Sequence, residues 1–181
     1  MPTSPMNEHL DLVEACEAHL EAFLDFAREL LPVEDNPFMR QRLREALADP
    51  HAALRREQDY ARGRNLPDGN VPATTYWLVR DGQRVVARSN LRHRLTSHLE
   101  REGGHIGYGV RPSERGKGYG TAVCRLTLEK ARALGLPRVL ITCDTDNLAS
   151  ARIIEKNGGV FESEARSRQT GKMKRRYWID L

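Results

Sequence analysis

No run of apolar residues in this chain approaches the roughly 20 that span a bilayer. The opening MPTSP has neither the basic stretch nor the apolar core of a secretory leader, so the sequence predicts a cytoplasmic protein with no membrane partner. Cysteine is scarce and odd in number. Cys16, Cys124 and Cys143 lie in apolar surroundings, which argues for reduced core thiols over disulfides, and none has a histidine nearby in sequence that would mark a nucleophile. His93, His98 and His105 fall close together, yet their spacing fits no zinc template, and no metal is expected. The segment 92–104 reads instead as a basic connection, either a solvated loop or a contact for an anionic substrate.

Charge is unevenly spread. Residues 1–36 hold nine acids and one arginine, a net of −8, so the remainder must carry +12 to reach the total of +4. A basic remainder suits a polyanionic ligand. The run KMKRRYW, Lys172 to Trp178, interleaves basic and aromatic residues as some nucleic-acid binders do. Lysine and arginine are also a common defence on an edge or terminal strand, and that reading is preferred, so nucleic acid is not expected as a partner.

Positive charge is placed most pointedly in Val110 to Gly120, VRPSERGKGYG, between a strand-like run (105–110) and a helix-like run (121–134). A glycine-dense turn entering a helix leaves backbone N–H groups and the positive end of the helix dipole facing open space, a place to hold phosphate. Arg115 and Lys117 flank Gly116 with formal charge. Gly116, Gly118 and Gly120 alternate strictly, one residue short of the dinucleotide fingerprint G-x-G-x-x-G, and Lys117 is followed by glycine rather than the Ser or Thr of an ATP-type loop. What remains is Arg115, two residues, Gly118, one residue, Gly120.

Downstream, RVLITC (138–143) reads as a buried strand, Asp144 to Asn147 as a turn rich in helix caps, 148–157 as a short helix stopped by Gly158 and Gly159, and 160–165 as another strand. The loop, followed by NLASARIIEKNGG (147–159), resembles the two ordered signatures of the GNAT N-acetyltransferase superfamily, and the GGHIGYGVRP run is similar to bacterial acetyltransferases of that superfamily. The resemblance covers 74–181 well and the first 73 residues loosely. It implies an α/β GNAT fold: a mixed, mostly antiparallel sheet with a splayed parallel central strand pair, 105–110 and 138–143, and helices on both faces. It implies one domain over 1–181, with 1–73 as the helical acceptor side and 74–181 as the sheet and acyl-CoA core.

The N-terminal part reads as a short strand (10–13), a helix carrying Leu20, Phe23, Leu24, Ala27 and Leu30 at helical spacing, a second helix (38–48), and a third capped by Asp49-Pro50 and ended at Gly63. Thr74 to Arg80 and Gln83 to Leu91 form a hairpin about Asp81-Gly82. Gly107 and Gly109 make the next strand permissive, consistent with a bulge or a close ligand approach.

By resemblance, the chain uses acetyl-CoA and no metal to acetylate a primary amine, on a small molecule or a protein, by direct attack in a ternary complex; a homodimer is compatible with it. The implied cofactor-binding residues are Tyr108, Val110, Arg115, Gly116, Lys117, Gly118, Tyr119, Gly120, Thr121, Asn147 and Arg152. Many family members place a Tyr acid where this chain has Ile154, which cannot donate a proton. Tyr108 and Tyr177 are then candidate acids, and His105 and Asp144 candidate bases. A non-catalytic acyl-CoA sensor is the competing reading.

Overall fold

The computed structural model describes residues 8–181, so the MPTSP start lies outside the described residues. Strand β1 (Leu10–Glu14) leads into helix α1 (Leu20–Leu30), then α2 (Pro37–Ala48) and α3 (Pro50–Ala61). The two later helices begin where the sequence caps them. Asn36 Oδ1 accepts from Met39 N–H at 3.1 Å and Asp49 Oδ1 from Ala52 N–H at 3.0 Å, with Pro37 and Pro50 each opening the first turn. Strands β2 (Ala73–Arg80) and β3 (Arg84–Arg92) form the expected hairpin, its turn carrying positive φ at both Asp81 (52°) and Gly82 (69°).

Between β3 and β4 (Ile106–Val110) the basic segment is not a plain loop. It forms a short helix, α4 (Ser97–Glu102), capped by Thr96, whose Oγ1 accepts from Leu99 N–H at 3.3 Å. Helix α5 (Tyr119–Ala133), β5 (Arg138–Asp144), α6 (Leu148–Lys156), β6 (Val160–Arg166) and β7 (Met173–Asp180) complete the chain. Among the described residues no helix is long and apolar enough to cross a membrane.

The strands form two sheets, ordered β1-β2-β3-β4 and β5-β7-β6, with every ladder antiparallel. The expected central parallel pair is therefore not a ladder: β4 and β5 lie in different sheets. They meet at one end, where His105 N–H donates to Leu140 O at 2.7 Å. The Lys172–Trp178 run was expected on an edge or terminal strand; β7 is the last strand of the chain but the middle one of its sheet. Its cations are neutralised by neighbours: Arg176 pairs with Glu162 at 2.6 Å and Lys174 with Asp144 at 2.5 Å.

Strand alternation decides which layer each side chain joins. On β2, Trp77 and Val79 pack with α1 under the N-terminal helices, where Phe23 stacks on Trp77 at 4.5 Å between ring centres. Leu78 points the other way, into a layer with Tyr119 and Val123 of α5. Helices thus cover both faces, α1 to α3 on one and α5 with α6 on the other.

Candidate functional site

The loop before α5 is built to present unpaired donors. Gly116 (φ 78°) and Gly118 (φ 90°) take left-handed conformations that side chains disfavour, and a Cβ at either would meet open space. Among the described residues, the six successive N–H groups from Gly116 to Thr121 have no hydrogen-bond acceptor; the first helical bond is Ala122 N–H to Gly118 O at 3.0 Å. Arg115 is exposed with no carboxylate within 4.0 Å among the described residues. Gly120 has a different reason to be glycine: a Cβ there would sit 2.5 Å from Ile153 Cδ1, so it lets α5 pack on α6.

Two expected cofactor side chains turn away. Lys117 Nζ donates back to Glu114 at 2.8 Å, and the Tyr119 ring is buried, its hydroxyl accepting from Arg80 at 2.9 Å and donating to Glu8 at 2.6 Å. Tyr119 therefore offers the site only its N–H. Behind the loop, buried Glu114 also accepts from Arg84 at 2.9 Å and Arg80 at 3.2 Å; the Lys117 bond and then the two arginines outweigh burial and hold its carboxyl near pKa 2. Glu29 of α1 holds the turn from the other side, accepting from Arg111 at 2.5 Å and Ser113 N–H at 2.6 Å; burial opposes, but these donors bring its pKa to about 2.

Strand β4 borders the gap between the sheets. Because Arg92 N–H reaches His105 O and Arg111 N–H reaches Val86 O, alternation directs the backbone groups of Ile106, Tyr108 and Val110 to the edge away from β3, toward β5. Register runs unbroken through Gly107 and Gly109, so neither marks a bulge, and a Cβ at either would meet nothing within 4 Å. Tyr108 OH lies 2.8 Å from Ser150 Oγ of α6, and burial raises its pKa far above the usual phenol value.

The other candidate acids and bases are already engaged. His105 Nδ1 accepts Leu140 N–H at 2.9 Å, which uses the lone pair a base would need; burial, then Arg92, lowers its pKa to about 4. Asp144 holds Lys174 and Lys172, which keep its carboxyl below its ordinary value against burial. Tyr177 is buried in the same core as Ile154, its hydroxyl donating to Glu155 of α6 at 3.1 Å. Asn147 caps α6 by accepting Ser150 N–H at 3.0 Å, Arg152 is exposed on that helix, and Ile154 is fully buried in the core.

On the opposite face, α1 to α4 and strands β2 to β4 enclose a cavity of about 810 Å³, within the range of small-molecule sites. Gly107 and Gly109 line it, and directly across the ladder stand Asn90 and Arg88. Asn90 Nδ2 donates to Thr75 Oγ1 at 3.1 Å, and Thr75 in turn donates to Glu57 at 2.5 Å. Arg92 donates to the Gly103 and Gly104 carbonyls. These residues were not singled out from sequence. Their signal was the alternation Arg88, Asn90, Arg92, which marks one face of β3 as polar although the strand is covered on both sides. Among the described residues no three His, Cys, Asp or Glu side chains converge as metal ligands.

A family model described as an acetyltransferase (GNAT) domain matches residues 9–160. No curated protein matches the chain. Among solved structures, RimL, a ribosomal alpha-N-protein acetyltransferase in complex with coenzyme A, aligns with a TM-score of 0.67 at 18% identity, over 99% of this chain and 97% of its own. Mycobacterium smegmatis RimJ, in complex with a CoA disulfide, gives 0.71 at 15%, over 95% and 82%. The microcin self-immunity acetyltransferase MccE, in complex with acetyl-CoA and AMP, gives 0.66 at 13%, over 97% and 94%. At such identities the likeness establishes the fold.

Proposed function

The chain belongs to the GNAT acetyltransferase family, and from that premise we propose that it moves an acetyl group from acetyl-CoA to a primary amine by direct attack in a ternary complex. The run of six unpaired N–H groups from Gly116 to Thr121, with Arg115 beside it, carries this reading. Those donors suit a pyrophosphate, and the outward backbone edge of Ile106, Tyr108 and Val110 suits the amides of a pantetheine arm. The thioester would then lie beside Gly107, with the acceptor entering through the cavity on the other face. On this reading the chain works as one unit, α1 to α3 walling the acceptor side and residues 74–181 holding the acyl donor.

The thioester is already activated, so the protein's task is placement and stabilisation of the oxyanion. The ammonium must first lose a proton; the amine nitrogen then attacks the carbonyl carbon, the C–N bond forms, the C–S bond breaks, the sulfur leaves as thiolate, and the nitrogen gives its second proton to water. We assign Glu57 as the proton acceptor, through water, because the other cavity carboxylate, Glu102, has its two oxygens engaged by Ser167 and the Arg168 N–H. Tyr108 is assigned to hydrogen-bond the leaving sulfur. Its phenol stays protonated throughout the working pH range, and a thiol of ordinary pKa near 8.5 leaves without full proton transfer.

A sensor that binds acyl-CoA without turnover is favoured by one observation, the buried Ile154 at the position of the family's usual acid. Incubating the protein with acetyl-CoA and a broad amine panel, and following free thiol, separates the two. Amine-dependent thiol release supports the enzyme; CoA binding with no release across the panel supports the sensor.

A further inference from the structure

The cavity has more donors than acceptors. Arg88 Nη1 touches only the Met39 sulfur, at 3.0 Å, and among the described residues no carboxylate lies within 4.0 Å of its guanidinium. Trp77 Nε1, which also lines the cavity, is buried with no hydrogen-bond partner among the described residues, whereas the Arg42 and Arg56 guanidiniums each have a carboxylate within 4.0 Å. A guanidinium stays charged at any working pH, and a buried charge without a partner is costly, so this arrangement calls for an anion supplied by a ligand. The acids in reach do not supply it. Glu57 turns Oε2 to Thr75 and has no Arg88 contact within 4.0 Å; its Oε1, 3.6 Å from Arg42 and Arg56, is left without a hydrogen bond among the described residues, and Glu102 is taken by Ser167, the Arg168 N–H and His98. Glu34, the other acid felt by Arg88, accepts the Asn36 N–H. Burial pushes the Arg88 guanidinium below its usual pKa, and Arg88 in turn adds to the burial that lowers Arg92, as expected of a site left net positive.

We propose that the acceptor is an amine bearing a carboxylate, an amino-acid-like molecule whose carboxylate is bound by Arg88 and whose ammonium faces Glu57. Resting on the acetyltransferase reading for the amine, this adds the anionic half. Glu57 disfavours a doubly charged phosphate in the same space, whereas a zwitterion satisfies both side chains. Arg88 stands opposite Gly109 and Asn90 opposite Gly107, so a carboxylate on Arg88 sets the amine close to the strand along which the thioester would lie.

The test is binding by the full-length protein, with and without saturating CoA, of common amino acids and of their primary amides, followed by calorimetry. At least one acid should bind on the order of 10- to 100-fold more tightly than its amide, the value of a charge-assisted hydrogen bond in a desolvated site. Arg88→Met should remove that preference and Arg88→Lys keep part of it, with CoA affinity unchanged in both. The proposal is overturned if no acid binds, if amides bind as well as acids in the wild-type protein, or if the preference survives in Arg88→Met. CoA affinity is read in the same titrations, so failure of the acyl-donor reading shows separately, as loss of CoA binding with the acid preference intact.

Discussion

Gly118 and Arg115 act on a bound anion by different means, and this lets their contributions be told apart. A side chain at Gly118 is strained at φ 90°, about 1–3 kcal/mol, and it would project into the open space beside the loop, where a bound anion is proposed to sit. Gly118→Val should therefore lower both stability and CoA affinity, whereas Arg115→Glu, at an exposed position, should weaken CoA binding at least tenfold with little change in Tm. Calorimetry beside thermal melting checks both; unchanged affinity in Arg115→Glu would contradict its role. Glu114 sits behind the loop with three cationic partners, and removing one partner of such a buried cluster costs about 3 kcal/mol, so Glu114→Ala should lower stability clearly in denaturant melts. At this scale the turn itself was legible in the sequence, because the spacing of Gly116 and Gly118 marks where left-handed backbone enters a helix. The destinations of Lys117 and Tyr119 were not, because they depend on Glu114, Arg80 and Glu8, which the fold brings from elsewhere in the chain.

Strand β4 is positioned by the His105 clamp at its start and by the Glu29 and Glu114 anchors after its end, and these titrate in separate windows. His105 has a folded pKa of about 4 against an ordinary 6.5, so neutral imidazole is the form that stabilises. Its contribution is whole above pH 6.5 and is lost as pH falls through 4. The two glutamates, near 2 against 4.5, keep theirs above 4.5 and lose it toward pH 2. Denaturant melts from pH 7 to 3 should show stability falling first between 6.5 and 4, and His105→Gln should flatten that first limb while leaving the second. A first limb unchanged in the variant would mean that another group is responsible. Elements with caps were readable from sequence, as Asp49 and Asn147 show. Helix α4 was missed because its basic residues drew the reading toward a loop although Thr96 supplies a cap, and the place of β7 was missed because an edge and a central strand can carry the same residues when acids on β6 and at the end of β5 pair with them.

For the whole molecule, the division into two sheets at β4 and β5 leaves a gap on one side of a short strand rich in glycine, proposed to take the donor, and a cavity on its other face, proposed to take the acceptor. The fold class could be read from local motifs. The cavity could not, because it exists only when α1 to α4 pack over the polar face of β3, and no local pattern reports which layer will cover that face. On this account, Glu57→Gln should lower kcat for amine acetylation by about 10²-fold or more, with CoA affinity preserved. Steady-state thiol release tests this. The most direct measurement of the central claim compares CoA with pantetheine, which lacks the pyrophosphate, by calorimetry on the wild-type protein and on Gly118→Val. The account predicts that the wild-type protein binds CoA far more tightly than pantetheine and that most of this advantage disappears in the variant. Equal binding of the two ligands by the wild-type protein, or an advantage untouched in Gly118→Val, would contradict it.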